Sequence, residues 1–196
     1  CCATVEANVK EARDDSQDHA AQRCRQCRQK LDRQGVADNN RRAVPACQMD
    51  SFLEMLPDAL QDHADGFSYE TVQRDGKPSV VIRTGPVGEK TLRGMRHAIA
   101  AMAGQGNNLI IDDVACSGEV SDYVELLSAF DLHLVGVMAP LEVLEAREAQ
   151  RADRLPGLAR WQYERVHKGI CYDLEVDTDR FTPLECARRI QQQFRL

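Results

Sequence analysis

The amino-acid sequence predicts an α/β domain in which a parallel β-sheet is flanked by helices. Short apolar runs within residues 109–112 and 132–138 are typical of strands buried in a parallel sheet, and residues 174–176 are predicted to be a further short strand. Segments with helical periodicity separate these runs, as right-handed crossover connections require. A chain of 196 residues is long enough to form one such domain with a sizeable core.

The elements before the first apolar run are predicted from local signals. The pattern S-x-x-E at residues 51–54 is a capping box, which predicts a helix that Pro57 ends. Residues 61–86 contain turn signals and are predicted to be irregular, apart from a short strand at residues 79–83. Helical periodicity over residues 87–102 predicts a longer helix that ends near Gly104.

The elements after residue 112 alternate between helix and strand. Helices are predicted at residues 120–130, from Pro140 to about residue 154, and at residues 159–167. A second capping box at residues 182–185 predicts a terminal helix. The apolar face of that helix is expected to contain Leu184, Ala187, Ile190 and Phe194.

Charge and hydropathy exclude some partners. A net charge of −6 argues against nucleic acid or an anionic membrane surface as the main partner. No apolar run approaches the ~20 residues needed to cross a bilayer, and the N-terminus lacks a signal-peptide pattern, so we expect a cytoplasmic protein. The chain starts with Cys1 instead of Met, which suggests a fragment or an artificial start. Nothing in the sequence indicates an oligomeric state.

The composition of residues 1–48 differs from that of the remainder. Every aromatic residue lies at or after Phe52, and residues 1–48 contain one leucine, no isoleucine and five of the eight cysteines. Such a segment buries too little apolar area to offset an ordering cost of ~1–2 kcal/mol per residue. We therefore divide the chain into an anomalous segment, 1–48, and an α/β domain, 49–196. The first segment is expected to pack poorly and to leave no strand at the centre of the sheet.

The motif C-R-Q-C at residues 24–27 permits two interpretations. Zinc or thiol redox chemistry is one, but a zinc site needs a second pair of ligands, and Cys47 is the only nearby candidate. A solvated, arginine-rich segment is the interpretation we favour. A genuine extension that binds a partner remains the alternative.

A shift in reading frame explains the composition of residues 1–48 better than a zinc site or a solvated segment does. If the codons compatible with residues 18–30 are read one base later, they can encode I-M-L-L-N-G-A-A-S-A-G-K-S. That sequence is a strand followed by a complete G-x-x-x-x-G-K-S loop, whose backbone N–H groups and lysine hold nucleotide phosphates. In this frame Gly, Lys and Ser stand in place of Arg28, Gln29 and Lys30. We therefore expect residues up to about 48 to be a frame-shifted translation.

Three carboxylates are candidates for chemistry. Asp50 lies where a strand is expected to end and a helix to begin, the usual place for ligand groups in an α/β sheet. It could act as a general base, or simply favour the positive helix N-terminus. Asp112 and Asp113 end the run at residues 109–112, and one of them could hold Mg²⁺ directly or through water. Capping of the strand end is the alternative.

Arg147, Arg151 and Arg154 have i, i+4, i+7 spacing and are predicted to share one helix face. A solvated face or pairing with nearby acids would account for them. Three guanidinium groups just before a Pro-Gly break are also typical of a segment that neutralises a transferred phosphate.

From residue 49 onward the sequence resembles the chloramphenicol phosphotransferase-like family of P-loop kinases. The matching segments are M-D-S-F-L-E-M-L-P at 49–57, L-I-I-D-D-V at 109–114, R-E-x-x-R-x-D-R at 147–154 and H-K-G-I-C-Y-D-L-E-V-D-T at 167–178. The resemblance implies a P-loop-type sheet and transfer of phosphate from ATP, with Mg²⁺, to a hydroxyl of a small molecule. Chloramphenicol, and hence antibiotic resistance, is the implied case. It implies that Asp50 is the base and that the arginine segment closes over the phosphates.

The sequence departs from this family in its first residues. The family's glycine-rich loop, its lysine and the strand before them are not encoded as written. An inactive remnant that binds a partner, or a kinase for another small alcohol, therefore remain as alternatives.

Overall fold

The computed structural model describes residues 2–8, 44–74, 76–115, 118–151 and 154–196. The strands are β1 Cys2–Asn8, β2 Ala46–Gln48, β3 Phe67–Arg74, β4 Lys77–Thr84, β5 Leu109–Asp113, β6 Asp131–Met138 and β7 Leu174–Asp177. The helices are α1 Met49–Leu53, α2 Pro86–Gly104, α3 Glu119–Leu126, α4 Leu141–Ala149, α5 Leu158–Tyr163 and α6 Pro183–Phe194, with a short 3₁₀ turn at Asp58–Leu60. The predicted α/β class is confirmed.

Five strands form the main sheet in the order β2-β5-β1-β6-β7. β2 runs parallel to β5 and β7 runs parallel to β6, whereas β1 is antiparallel to both of its neighbours. Consequently β2, β5, β6 and β7 all point in one direction. Their carboxyl ends meet at one edge of the sheet, which we call the carboxyl edge.

The prediction that no strand occupies the centre of the sheet was wrong. β1 lies between β5 and β6, with Val5 opposite Ile111 on one side and Leu134 on the other. A sheet buried on both faces must pair the backbone N–H and C=O groups of β5 and β6, whatever the apolar content of the strand that pairs them. Side-chain burial alone did not predict β1, because this requirement concerns the backbone. The sheet is therefore mixed and not wholly parallel.

The hydrophobic core lies between this sheet and the helices on its faces. Its fully buried members include Ile99 of α2, Leu109 and Ile111 of β5, Val135 of β6 and Leu144 of α4. In the described part of the chain, no helix combines the length and apolar character that a membrane span requires.

Residues 61–86 are more regular than we predicted. β3 and β4 form an antiparallel hairpin that is a separate two-stranded sheet, and β4 packs against α5. The strands alternate too weakly in polarity for the sequence to reveal the hairpin. The hairpin approaches the start of α5 closely at Gly157, which has φ +92°. A Cβ at this position would lie 2.2 Å from the carbonyl oxygen of Pro78 in β4.

Two capping-box predictions had different outcomes. Thr182 and Glu185 form the complete box at α6, and hydrogen bonds from the Thr182 hydroxyl and N–H lower the pKa of Glu185. At α1 the prediction was wrong, because β2 runs directly into the helix, which places Ser51 inside the first turn. Leu184 was also misassigned, since it is 42% exposed and Cys186, Ala187 and Ile190 form the buried face.

Candidate functional site

Two candidate carboxylates lie near the carboxyl ends of neighbouring parallel strands. Gln48, the last residue of β2, is in register with Asp112 of β5, and its side-chain amide lies 3.4 Å from Asp112 Oδ2. Asp50 comes two residues later, half-buried in the first turn of α1. The structure therefore places Asp50 and Asp112 at adjacent strand ends, the position where open α/β sheets bind ligands.

The two aspartates that end β5 have different surroundings. Asp113 is 3% exposed; its Oδ1 accepts a hydrogen bond from the N–H of Val114 at 2.6 Å, and its Oδ2 accepts one from the Tyr123 hydroxyl at 2.8 Å. Asp112 is half-buried and, by the alternation of a strand, faces the opposite side of the sheet. Asp113 thus joins β5 to α3, and Asp112 is the better candidate for a metal ligand.

We expect Asp113→Asn to destabilise the protein by about 1–3 kcal/mol, because one buried donor or acceptor loses its partner. If the asparagine oxygen accepts from the Val114 N–H, its amide N–H₂ can donate to the Tyr123 hydroxyl, whose own hydrogen then has lost its carboxylate partner. Urea denaturation would measure the free energy of unfolding, and Tyr123→Phe should show a smaller loss. A stability equal to that of the unchanged chain would contradict this structural role.

The prediction that the three arginines share one helix face was wrong. α4 ends at Ala149, so only Arg147 is helical, and the N–H of Arg151 bonds the carbonyl of Glu148 at 3.0 Å in a tighter turn. The physical reason is non-local: the Glu148 carboxylate bonds backbone N–H groups at the start of α5, which directs the chain away from the α4 axis. Arg151 and Arg154 follow the helix, and both are half-buried.

Arg147 connects α4 to the segment after β7. Its guanidinium donates to the Thr178 hydroxyl at 3.0 Å and to the Thr178 carbonyl at 2.7 Å. The Thr178 hydroxyl and N–H in turn donate to the carbonyl of Met138, at the end of β6. The arginine segment therefore starts from a point fixed to the carboxyl edge.

A cavity of about 630 Å³ opens at the carboxyl ends of β6 and β7. Residues of the β6 end, the β7 end and the α5–β7 connection line it: Met138, Ala139, Pro140, Tyr163, Glu164, Val166, His167, Lys168 and Asp177. No sequence motif predicted this cavity. The only available signal was the end of an apolar strand at Met138, since ligands bind beyond strand ends in such sheets.

His167 has a defined place in the wall of the cavity. Its backbone is left-handed, with φ +69°, and its Nδ1 lies 2.6 Å from the Tyr172 hydroxyl. The Tyr172 ring packs on Gly136 of β6, where a Cβ would approach the ring to 2.7 Å. The contact with Tyr172 joins this turn to the ring that packs on β6.

Cysteine and metal candidates in the N-terminal segment are only partly covered by the structure. Cys24 and Cys27, and the positions Arg28, Gln29 and Lys30 of the re-read phosphate loop, lie outside the described residues. Cys47 is buried in β2, and burial raises the pKa of its thiol, which disfavours the thiolate that metals bind. Within the described ranges no group of three or more His, Cys, Asp or Glu residues could form a metal site.

Comparison with known proteins places the chain in a family. A model of the family described as chloramphenicol phosphotransferase-like protein matches residues 36–195. Proteins from two strains of Mycobacterium tuberculosis, CDC 1551 / Oshkosh and ATCC 25618 / H37Rv, are each 30% identical over 124 residues, and each is named "Putative O-phosphotransferase". The match covers 63% of this chain and 55% of each relative. The family match begins before the boundary we set at residue 49, and it covers most of the chain. The protein belongs to the chloramphenicol phosphotransferase-like family.

Proposed function

We propose that the protein is, or derives directly from, an ATP-dependent phosphotransferase that acts on a hydroxyl of a small molecule. The observation that carries this proposal is the position of Asp50 and Asp112 at adjacent carboxyl ends of β2 and β5. Phosphoryl transfer uses a base for the acceptor hydroxyl and a carboxylate that holds the metal, and both groups must lie near the same phosphate. Membership of the family supports the same reaction class.

Asp50 is proposed as the base that orients the acceptor hydroxyl and takes its proton. Asp112 is proposed to hold Mg²⁺, directly or through water. Asp113 is proposed to have a structural role. A half-buried carboxylate at a strand end fits a cation that prefers oxygen ligands and is usually held by one or two carboxylates together with phosphates. When bound, the metal would neutralise charge on the phosphates.

The arginines are proposed to contact the phosphates of the donor. Arg147 is the fixed member, because its bonds to Thr178 attach it to the carboxyl edge. Arg151 and Arg154 would add charge that offsets the charge developing on the transferred group. The ATP base would occupy the cavity beyond β6 and β7, whose volume is within the ~300–1,000 Å³ usual for small-molecule sites.

The phosphate loop is proposed to be present in the gene and lost in translation of this frame. The re-read sequence at residues 18–30 would supply the backbone N–H groups and the lysine that the written sequence lacks. Sequencing the gene across codons 1–50 tests this directly. An intact frame with no single-base change that opens the alternative would exclude it.

Asp112→Asn is expected to weaken the binding of Mg²⁺. In a frame-restored protein the Mg²⁺ concentration for half-maximal activity should rise by ~10–100-fold, because the change removes one anionic ligand. A Mg²⁺ titration of phosphate transfer from ATP to chloramphenicol, followed by mass spectrometry, measures this. Asp113→Asn is the matched control, since it should leave the Mg²⁺ titration unchanged in the folded fraction. An unchanged titration in Asp112→Asn would remove Asp112 from the metal site.

A further inference from the structure

The Glu148 carboxylate makes two hydrogen bonds to backbone groups beyond the arginine segment. Its Oε2 accepts from the N–H of Gly157 at 2.7 Å, and its Oε1 accepts from the N–H of Ala159 at 2.6 Å. Bonds of this length to an ionised acceptor are among the stronger hydrogen bonds in proteins. A single side chain at the end of α4 therefore holds the start of α5.

Gly157 is also bonded to the β3–β4 hairpin. Its carbonyl accepts a hydrogen bond from the N–H of Val80 at 3.2 Å. The carbonyl oxygen of Pro78 and the Cα of Ser79 leave no room for a Cβ, and the positive φ favours glycine as well. Gly157 is thus a junction between α4, through Glu148, and the hairpin.

Both ends of the arginine segment are consequently fixed. Arg147 attaches its start to Thr178, and Glu148 attaches its end to Gly157 and Ala159. Arg151 and Arg154 lie between these two attachments. Charged groups that are already in place when the reaction occurs stabilise a developing charge more than groups that must first reorganise.

We infer that Glu148 is a positioning residue for phosphoryl transfer, which sets the places of Arg151 and Arg154 by anchoring the end of their segment to the hairpin junction. The inference rests on the proposed function for its phosphate ligand, but the anchor itself is a property of the chain. This positioning role also explains why the acidic residue Glu148 lies next to a proposed phosphate-binding segment, although the negative charge of Glu148 alone would oppose anion binding.

The chain offers a matched control for simple helix attachment. Glu145 of α4 forms an ion pair with Arg160 of α5, so a second carboxylate joins the same two helices without touching the junction. If Glu148 served only to hold α4 to α5, Glu145→Gln and Glu148→Gln would have similar effects. If Glu148 positions the arginines, only Glu148→Gln will weaken polyphosphate binding.

Amide hydrogen exchange on the full chain tests the anchor. Glu148→Ala is expected to raise the exchange rates of the Gly157 and Ala159 amides by about 10- to 100-fold, since each loses a charge-assisted bond. Glu148→Gln retains one good acceptor and should give a smaller rise, whereas Glu145→Gln should leave both amides unchanged. Equal exchange in Glu148→Ala and the unchanged chain would overturn the inference.

Binding of inorganic tripolyphosphate to the full chain tests the positioning role. The single tryptophan, Trp161, lies in α5 and provides a fluorescence signal. Glu148→Gln removes a negative charge, so electrostatics alone would tighten binding, whereas loss of positioning should raise Kd several-fold. Added to a variant that has both Arg151→Ala and Arg154→Ala, Glu148→Gln should not weaken binding further, because Glu148 acts through these two arginines.

Different results separate the inference from the proposed function. Tighter binding, or a further loss when Glu148→Gln is added to the variant that lacks both arginines, would overturn the positioning role. If the unchanged chain does not bind tripolyphosphate but the amides exchange as expected, the Glu148 anchor is supported and the positioning of the arginines for phosphate is overturned in the chain that lacks the glycine-rich loop.

Discussion

A frame-restored protein is expected to phosphorylate a small-molecule alcohol at least ~10²–10³ times faster than the chain as written. Removal of one preorganised donor to developing charge typically costs this factor, and here the whole phosphate loop and its lysine are absent. The restored loop would place backbone N–H groups and a lysine around the β- and γ-phosphates of ATP. Weak ATP binding by the chain as written follows from the same argument.

The measurement is steady-state kinetics with ATP, Mg²⁺ and chloramphenicol as the first acceptor. A chain with only Arg28→Gly, Gln29→Lys and Lys30→Ser is the matched control, because it has the loop's final residues without its first glycine or its strand, and it should remain nearly inactive. Equal activity of the written and restored proteins would contradict the requirement for the loop. Failure of the restored protein to phosphorylate any alcohol tested would refute the kinase proposal.

Asp50→Asn in the frame-restored protein should lower kcat by ~10²–10⁴ while the affinity for ATP changes little. Asparagine preserves the shape of the side chain and removes the base, and general-base catalysis typically contributes a factor of this size. Asp50 is half-buried in α1, beyond the end of β2, where an acceptor hydroxyl can meet the phosphate that Asp112 and the arginines would hold.

Glu54→Gln is the matched control for Asp50→Asn. Glu54 is an exposed acid at the end of the same short helix, and its N–H bonds the carbonyl of Asp50 at 2.8 Å, a contact that the substitution preserves. The control should retain normal kcat. A kcat for Asp50→Asn within a few-fold of the unmutated protein would exclude Asp50 from the mechanism.

The remnant hypothesis makes opposite predictions. If residues 1–48 are a genuine extension, the gene will show an intact frame and Cys24 and Cys27 will bind zinc stoichiometrically. Restoring the alternative frame would then create no activity. These outcomes would favour a binding protein built on the family's fold.

Much of the fold after residue 86 was determined by the sequence alone. β5 and β6 contain apolar runs, β7 was predicted as a short strand and α2 has clear helical periodicity, so local patterns were sufficient to place them. The apolar run of β5 also placed Asp112 at a strand end, whereas Asp50 was placed by the strand-to-helix boundary expected before it. The family could likewise be identified from short segments.

Only the tertiary structure decided the features that depend on distant contacts. β1 forms the centre of the sheet through backbone pairing with β5 and β6, and the β3–β4 hairpin packs against α5. Asp112 and Asp113 look equivalent in the sequence, and only Tyr123 and the strand alternation distinguish them. The end of α4 was set by bonds from Glu148 to residues nine and eleven positions later. Local propensity predicts elements that are stabilised by contacts between neighbouring residues. The features above are stabilised by contacts with residues distant in the sequence, which a local pattern does not reveal.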